Sequence, residues 1–262
     1  MTSFPTPAEL TDDVFETMRD KASMPARTIL TLGVLAGVYI GFAGLFSITV
    51  LAGASVLPFG VAQLLAGAVF TIGLAAVQLA GAELFTGNTL IIGPCALGRV
   101  PLKEATGALA LAYVGNLFGS LLLVVVALCA DLHSSGDGKV GAALVELGTV
   151  KVYKSFFATV VSGILANFLV CLAVWLAASG KTTVEKLAGL SLPVAAFVAL
   201  GLEHSVANMF LMPYAYLVSD TSSAITGHAV IANVTASTIG NLLGGGGLAL
   251  AYASIAEKDV QK

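Results

Sequence analysis

Two short stretches, 120 positions apart, repeat one pattern of charge inside apolar sequence: Gly81-Ala82-Glu83-Leu84-Phe85-Thr86-Gly87-Asn88 and Gly201-Leu202-Glu203-His204-Ser205-Val206-Ala207-Asn208. In each, Gly-x-Glu is followed five residues later by Asn. The second lies in an otherwise apolar run from Leu190 to Val218, and the first closes a run from about Val61 to Ala80. An ionisable residue at membrane depth is costly and marks a functional site by default. A chain that carries two such stretches in register is constrained to a duplicated fold built around them.

The rest of the composition makes the membrane the solvent. Hydrophobic residues are 57% of the chain and charged residues 10%, where a soluble domain carries about 25% charged. At about 20 apolar residues per span, the chain has room for about six helices. The net charge of −3 and the scattered basic residues exclude a nucleic-acid partner. Cys95, Cys129 and Cys171 have no paired spacing; they read as packing residues, and neither metal nor cofactor is expected.

Along the chain, Thr6-Pro7-Ala8-Glu9 has the residues of a capping box, with Leu10, Val14 and Met18 following at four-residue spacing. A short amphipathic helix is expected within residues 1–27, either tethering or docked on the membrane or a neighbouring subunit. This polar segment lacks the apolar core of a signal peptide and is expected to be retained. The first span, about Thr28 to Val56, presents Gly33, Gly37, Gly41 and Gly44 as a face for close helix approach. The second breaks at Glu83, and the apolar piece from Thr89 to Leu97 is too short to cross.

A third span, about Ala105 to Ala130, contains Gly115-Asn116-Leu117-Phe118-Gly119. Residues 131 to 154 are polar and read as the longest loop. The fourth span runs from about Phe156 to Ala178; the fifth starts near Leu187, breaks at Glu203 and resumes to about Val218. The sixth, about Val230 to Ile255, contains Gly240-Asn241-Leu242-Leu243-Gly244, the third-span motif at an offset of 125.

Helices one to three thus resemble helices four to six, and an odd number per half forces opposite orientations. The expected fold is an all-α polytopic membrane protein, with six transmembrane helices in two inverted three-helix repeats and helices 2 and 5 broken. The channel domain spans 28–256 and a short tail 257–262. Lys and Arg counts favour cytoplasmic termini: nine residues inside, including Lys258 and Lys262, against Lys139, Lys151 and Lys154 outside.

Each broken helix leaves unpaired N–H groups and a positive dipole end at the start of its second half, which together favour an anionic or polar solute near the midplane. Phe70, Leu74, Leu84, Val170 and Phe197 are candidates for constrictions around a small polar chamber. His204, ordinarily titrating near neutrality, is the candidate proton or hydrogen-bond donor there. Glu83 and Glu203 read as structural, accepting N–H bonds that hold each break, with Asn88 and Asn208 beside them. Asn116 and Asn241 read as helix-to-helix glue. Thr86 offers a hydroxyl and Asn167 an amide, to solute or to nearby backbone; Lys151 either draws anions or is a solvated loop lysine.

Gly-Ala-Glu-Leu-Phe-Thr from Gly81, Asn-Phe-Leu-Val-Cys-Leu-Ala-Val-Trp from Asn167 and Glu-His-Ser-Val-Ala-Asn-Met-Phe from Glu203 resemble the signatures of the formate/nitrite transporter family. The resemblance implies an aquaporin-like fold assembled as a homopentamer in the cytoplasmic (inner) membrane, with one pore per subunit. It implies passage of small monovalent anions: formate first, with nitrite and hydrosulfide as alternatives and acetate or lactate as further candidates, with or without a proton. It matches His204 to the central pore histidine, Thr86 to the gating threonine, Asn167 to their polar partner and Lys151 to a vestibule lysine. Phe70 and Leu74 fall at the cytoplasmic constriction, and Leu84, Val170 and Phe197 at the outer one. Thr86-Gly87-Asn88 and Leu202 depart from the Thr-Ser-Ser and Phe of formate channels. A membrane enzyme using Glu203 and His204 is the remote rival, lacking metal-ligand histidines or a nucleophile elbow.

Overall fold

The computed structural model describes residues 5–220 and 223–260, with the side chains of 257–260 outside the description. The tail assigned to 257–262, and the Lys258 and Lys262 side chains counted toward its charge, therefore lie outside the described residues. The described residues form helices joined by short connections, with no strand among them.

Helix α1 (Pro7–Ala22) starts at the expected capping box: Thr6 Oγ1 accepts from the Glu9 N–H at 3.3 Å, and Glu9 Oε2 accepts from the Thr6 N–H at 2.7 Å. That Thr6 N–H, foremost, holds the Glu9 carboxyl below the usual carboxylate range. Val14, Phe15, Met18 and Ala22 form its buried stripe. Then follow α2 (Ala26–Leu51) and α3 (Phe59–Ala80), each entered through a proline, and after the first break α4 (Phe85–Asn88), a 3₁₀ turn (Thr89–Ile91) and α5 (Ile92–Ala96). Helix α6 (Leu102–Cys129) completes the first half. The second half is α7 (Lys139–Tyr153), α8 (Phe156–Ser179), α9 (Thr183–Ala199), α10 (Ser205–Val218) and α11 (Gly227–Val260).

Five helices, α2, α3, α6, α8 and the Gly227–Ala256 part of α11, are long and apolar enough to cross a membrane. The place of the expected fifth span is taken by α9 and α10, of 17 and 14 residues, because the break divides it. The expected long loop also differs: residues 139–153 fold as α7. Its buried Val140, Leu144 and Gly148 recur every four residues, so polarity on the opposite face hid a helical stripe.

The two halves pack alike. A Cβ on Gly37 or Gly119 would collide with the backbone of the facing helix, α6 or α2, and one on Gly240 or Gly244 with that of α8. These glycines bring the helix pairs α2/α6 and α8/α11 to backbone contact, where side chains would hold them apart. Tyr113 Oη meets Thr238 Oγ1 at 3.2 Å, two residues 125 apart in sequence. That is the offset of the repeated Gly-Asn motifs, so a residue touches its own equivalent, as happens beside a two-fold axis.

The repeat reaches further back than the spans. Lys21 lies five residues before the start of α2, and Lys151 five before α8. Leu10 and Val14 correspond in the same way to Val140 and Leu144. Helices α1 and α7 are therefore equivalent parts of the two halves.

Candidate functional site

Both breaks begin with the same stop. Gly81 and Gly201 take positive φ, 76° and 62°, and the next N–H reaches back five residues: Ala82 to Val77 O at 2.9 Å, Leu202 to Phe197 O at 3.1 Å. Glycine pays no Cβ penalty in that conformation, which closes the helix in a Schellman turn. The chain then runs extended through Leu84 and His204 before the second half-helix starts.

The first N–H of each second half is taken up by an asparagine of the opposite span. Asn116 Oδ1 accepts from the Phe85 N–H at 2.8 Å, while its Nδ2 donates to Gly33 O and Glu83 O at 2.8 and 2.9 Å. Asn241 Oδ1 accepts from the Ser205 N–H at 2.7 Å, and its Nδ2 donates to Gly163 O and Glu203 O at 2.8 and 2.9 Å. One amide thus ties three backbone groups from two helices at each break. The reading of Asn116 and Asn241 as interhelical ties falls short of this, since each also caps a half-helix.

The glutamates do something other than accept backbone N–H groups. Glu83 Oε1 pairs with Lys21 Nζ at 2.9 Å and Oε2 accepts from Asn88 Nδ2 at 2.6 Å. Glu203 pairs with Lys151 at 2.8 Å and Lys154 at 2.7 Å and accepts from Asn208 Nδ2 at 2.8 Å. The extended backbone explains the difference: successive side chains point to opposite faces, so His204 turns toward its half-helix while Glu203 turns away to α7. Lys151 is buried against Glu203, neither a solvated loop lysine nor a free vestibule charge. Sequence reasoning missed Lys21 and Lys154 as partners; the five-residue spacing shared by Lys21 and Lys151 was the available signal for the first.

Between the breaks, Thr86 Oγ1 and His204 Nε2 are 2.9 Å apart. His204 Nδ1 accepts from the Ala207 N–H at 3.1 Å, so the ring is itself an N-cap. An acceptor at Nδ1 fixes the neutral tautomer with its proton on Nε2. Nε2–H then donates to Thr86 Oγ1, and the Thr86 hydroxyl proton is left for another acceptor. The Phe197 ring lies nearly parallel on the imidazole, centroids 5.5 Å apart.

Asn167 is fully buried and bonds backbone and break: its Nδ2 donates one proton to Asn241 O at 2.6 Å and shares the other between Thr89 Oγ1 at 2.9 Å and Thr86 O at 3.2 Å. It braces the first break against α11 and meets the Thr86–His204 pair through the Thr86 carbonyl. Gly245 permits this, because a Cβ there would collide with Thr89 Oγ1.

Phe70, Leu74, Leu84, Val170 and Phe197 line one cavity of about 10 Å³ with His204. They group differently from the expected two sets. Phe70 and Phe197 meet edge to face at 5.5 Å, and both also line a cavity of about 60 Å³ with Lys151, Ser47 and Asn208. On the other side, Val77, Val174 and Glu83 line a cavity of about 420 Å³ with Lys21. Inversion is the reason. Helices α3 and α9 end in opposite directions, so Phe197 near the end of α9 is level with Phe70, about 15 Å before the end of α3. Leu74, Leu84 and Val170 then fall toward Lys21.

Mirrored breaks meeting at a nearly closed apolar cavity, with a charged cluster beyond each, define a multi-pass membrane protein of channel architecture. The Formate/nitrite transporter family model matches residues 8–254, and the chain belongs to that family. It is 37% identical over 231 residues to "Formate channel FocA" of Escherichia coli (strain K12), covering 82% of this chain and 81% of that one. To "Probable formate transporter" of Methanothermobacter thermautotrophicus it is 32% identical, covering 93% of each. Among solved structures it is similar to "Pentameric formate channel with formate bound", with TM-score 0.84 and 33% identity over 88% of this chain and 97% of that one.

Proposed function

We propose that the chain is a channel for small monovalent anions, formate foremost, working as a homopentamer in the cytoplasmic membrane with both termini in the cytoplasm. Its role is passage of solute, with no chemical conversion. The observation that carries the reading is the Thr86–His204 pair at 2.9 Å, buried where three cavities follow one another along α3 and α9. Relatives described as formate channels supply the substrate.

On this reading an anion enters through the cavity beside Lys151 or the one beside Lys21. It then passes Phe70 and Phe197 on one side and Leu74, Leu84 and Val170 on the other. The cavity between them, about 10 Å³, has room for no more than about one water, so the solute must shed its hydration. A bare anion in such surroundings costs several kcal/mol; the Thr86 hydroxyl proton, freed by the His204 bond, offsets part of this.

Neutral His204 donates a hydrogen bond readily but gives up a proton only after taking a second one. That second proton belongs on Nδ1 and displaces the Ala207 N–H. Anion passage alone needs no such step, and anion–proton symport does.

Uptake into proteoliposomes, with formate, nitrite, hydrosulfide and lactate compared while internal pH is followed, tests the reading. Formate uptake is expected to be fastest. His204→Ala is expected to lower it by about tenfold or more, through loss of a buried hydrogen-bonded donor chain. If none of the four solutes moved, the reading would be wrong.

A further inference from the structure

The cavity of about 60 Å³ on the Lys151 side carries polar groups that the pathway above leaves unused. Ser47, on α2, is 6% exposed, and its hydroxyl makes no hydrogen bond among the described residues. A buried helical serine ordinarily bonds back to the preceding turn or to a neighbour. Asn208, also lining the cavity and 1% exposed, has its Nδ2 bonded to Glu203 and Asn233 and its Oδ1 without a partner. Glu203 fixes this orientation, since turning the amide would set two oxygens against each other. Lys151 makes one bond, to Glu203, and an ammonium has three protons.

The space fits what these groups would hold. A water needs about 10–15 Å³ of such room, so this cavity takes a small anion together with a water, whereas the cavity beyond Phe70 and Phe197 takes about one water's worth. Dehydration therefore falls at the two rings, and the last polar contacts before it come from Ser47, Lys151 and Asn208.

We propose that Ser47 is a specificity-determining residue of this pathway: its unpartnered hydroxyl donates to an oxygen of a small carboxylate waiting beside Lys151, and Asn208 Oδ1 accepts from the accompanying water. This inference rests on the anion-channel reading above. A hydroxyl donor gains most from a compact oxygen charge and least from the diffuse charge of a sulfur anion. Ser47 thereby favours formate over hydrosulfide at the outer mouth.

The test uses the full-length protein in vesicles of phosphatidylethanolamine and phosphatidylglycerol, with formate and hydrosulfide uptake measured over a range of concentrations. Ser47→Ala removes the hydroxyl with almost no change in volume, and Ser47→Thr keeps it. The alanine variant is expected to lose about tenfold in formate uptake at subsaturating concentration, with hydrosulfide uptake unchanged, and the threonine variant to restore the formate rate. Equal loss for both anions would mean a merely structural serine and would overturn the proposal, as would no loss for either, or no recovery with threonine. Wild-type protein that moved neither anion would overturn the channel reading itself, an outcome distinct from all of these.

Discussion

The two breaks share their clamps and differ in what serves their carboxylates. Asn116 and Asn241 make the same three bonds, matching one another to within 0.1 Å. Glu203, by contrast, is fully buried and held by Lys151 of α7 and by Lys154, which follows the last residue of that helix. Glu83 has a single lysine, Lys21, whose side chain is 18% exposed beside the largest of the three cavities on the path. Lys21 sits on α1, which leads into α2. The duplicated fold has kept the backbone geometry equal while giving Glu203 one buried lysine, Lys151, besides the partly exposed Lys154, and Glu83 a partly exposed lysine alone.

The second halves differ as well. Helix α10 is one continuous 14-residue helix capped by His204, whereas the first break is followed by three short pieces, α4, the 3₁₀ turn and α5. There the Thr89 hydroxyl bonds Thr86 O at 2.6 Å, a local competitor for helical bonding, and Asn167 braces the same carbonyl. Both breaks are clamped by an asparagine of α6 or α11, and the first leans on α8 as well.

The sharpest way to break this comparison is to neutralise each carboxylate. Glu203→Gln leaves the buried Lys151 without a counter-ion, and removing one partner of a buried pair costs about 3–5 kcal/mol. Glu83→Gln strands a lysine that water can reach, so a loss of about 1 kcal/mol is expected, nearer the exposed range. Thermal unfolding of each variant in detergent measures both, and equal losses would mean that the deeper burial of Lys151 adds nothing to its need for a counter-ion.

The clamps give the opposite expectation. Asn116→Ala and Asn241→Ala each orphan one N–H and one carbonyl of the break, Glu83 O or Glu203 O, inside the bundle, and with partial relaxation about 3 kcal/mol is expected from each. The point is their equality, since the distances match. If Asn116→Ala proved much the milder, the first break would be shown to hold itself without its clamp. Unfolding midpoints of the pair, read side by side, decide it.

Much of this was legible because a polar residue in an apolar run is conspicuous. Glu83, Glu203, the Gly-Asn motifs and the inversion all follow from that signal, with the family signatures at Gly81, Asn167 and Glu203 carrying the rest. Three things were hidden for physical reasons. Helix α7 reads as a loop because its apolar stripe, Val140, Leu144 and Gly148, is thin and ends in a glycine. The reach of Lys154 to Glu203 spans 49 positions and leaves no local pattern. The grouping of Phe70 with Phe197 depends on how far along two antiparallel helices each ring sits, which spacing within either helix does not reveal.

The smallest expected effect concerns α1 and α7, the equivalent helices that deliver the lysines. Helix α7 starts at Gly138 with no side-chain cap, its first turn held in place by the chain from α6. Helix α1 starts instead at the Thr6–Glu9 capping box. Thr6→Ala is expected to speed amide exchange across the first turn of α1 a few-fold, in line with loss of an exposed cap. Lys21 lies four turns away, so its bond to Glu83 and the rate of formate uptake are expected to hold. Acid has the same local reach with a definite sign: because the Glu9 carboxyl is held below the usual carboxylate range, its support of the turn is complete above that range and is lost as pH falls through the lowered value. Exchange measured from neutral pH downward, after correction for intrinsic rates, checks this. Fraying that spread to Lys21 would mean that the cap, more than the Val14, Phe15 and Met18 stripe, is what docks the helix.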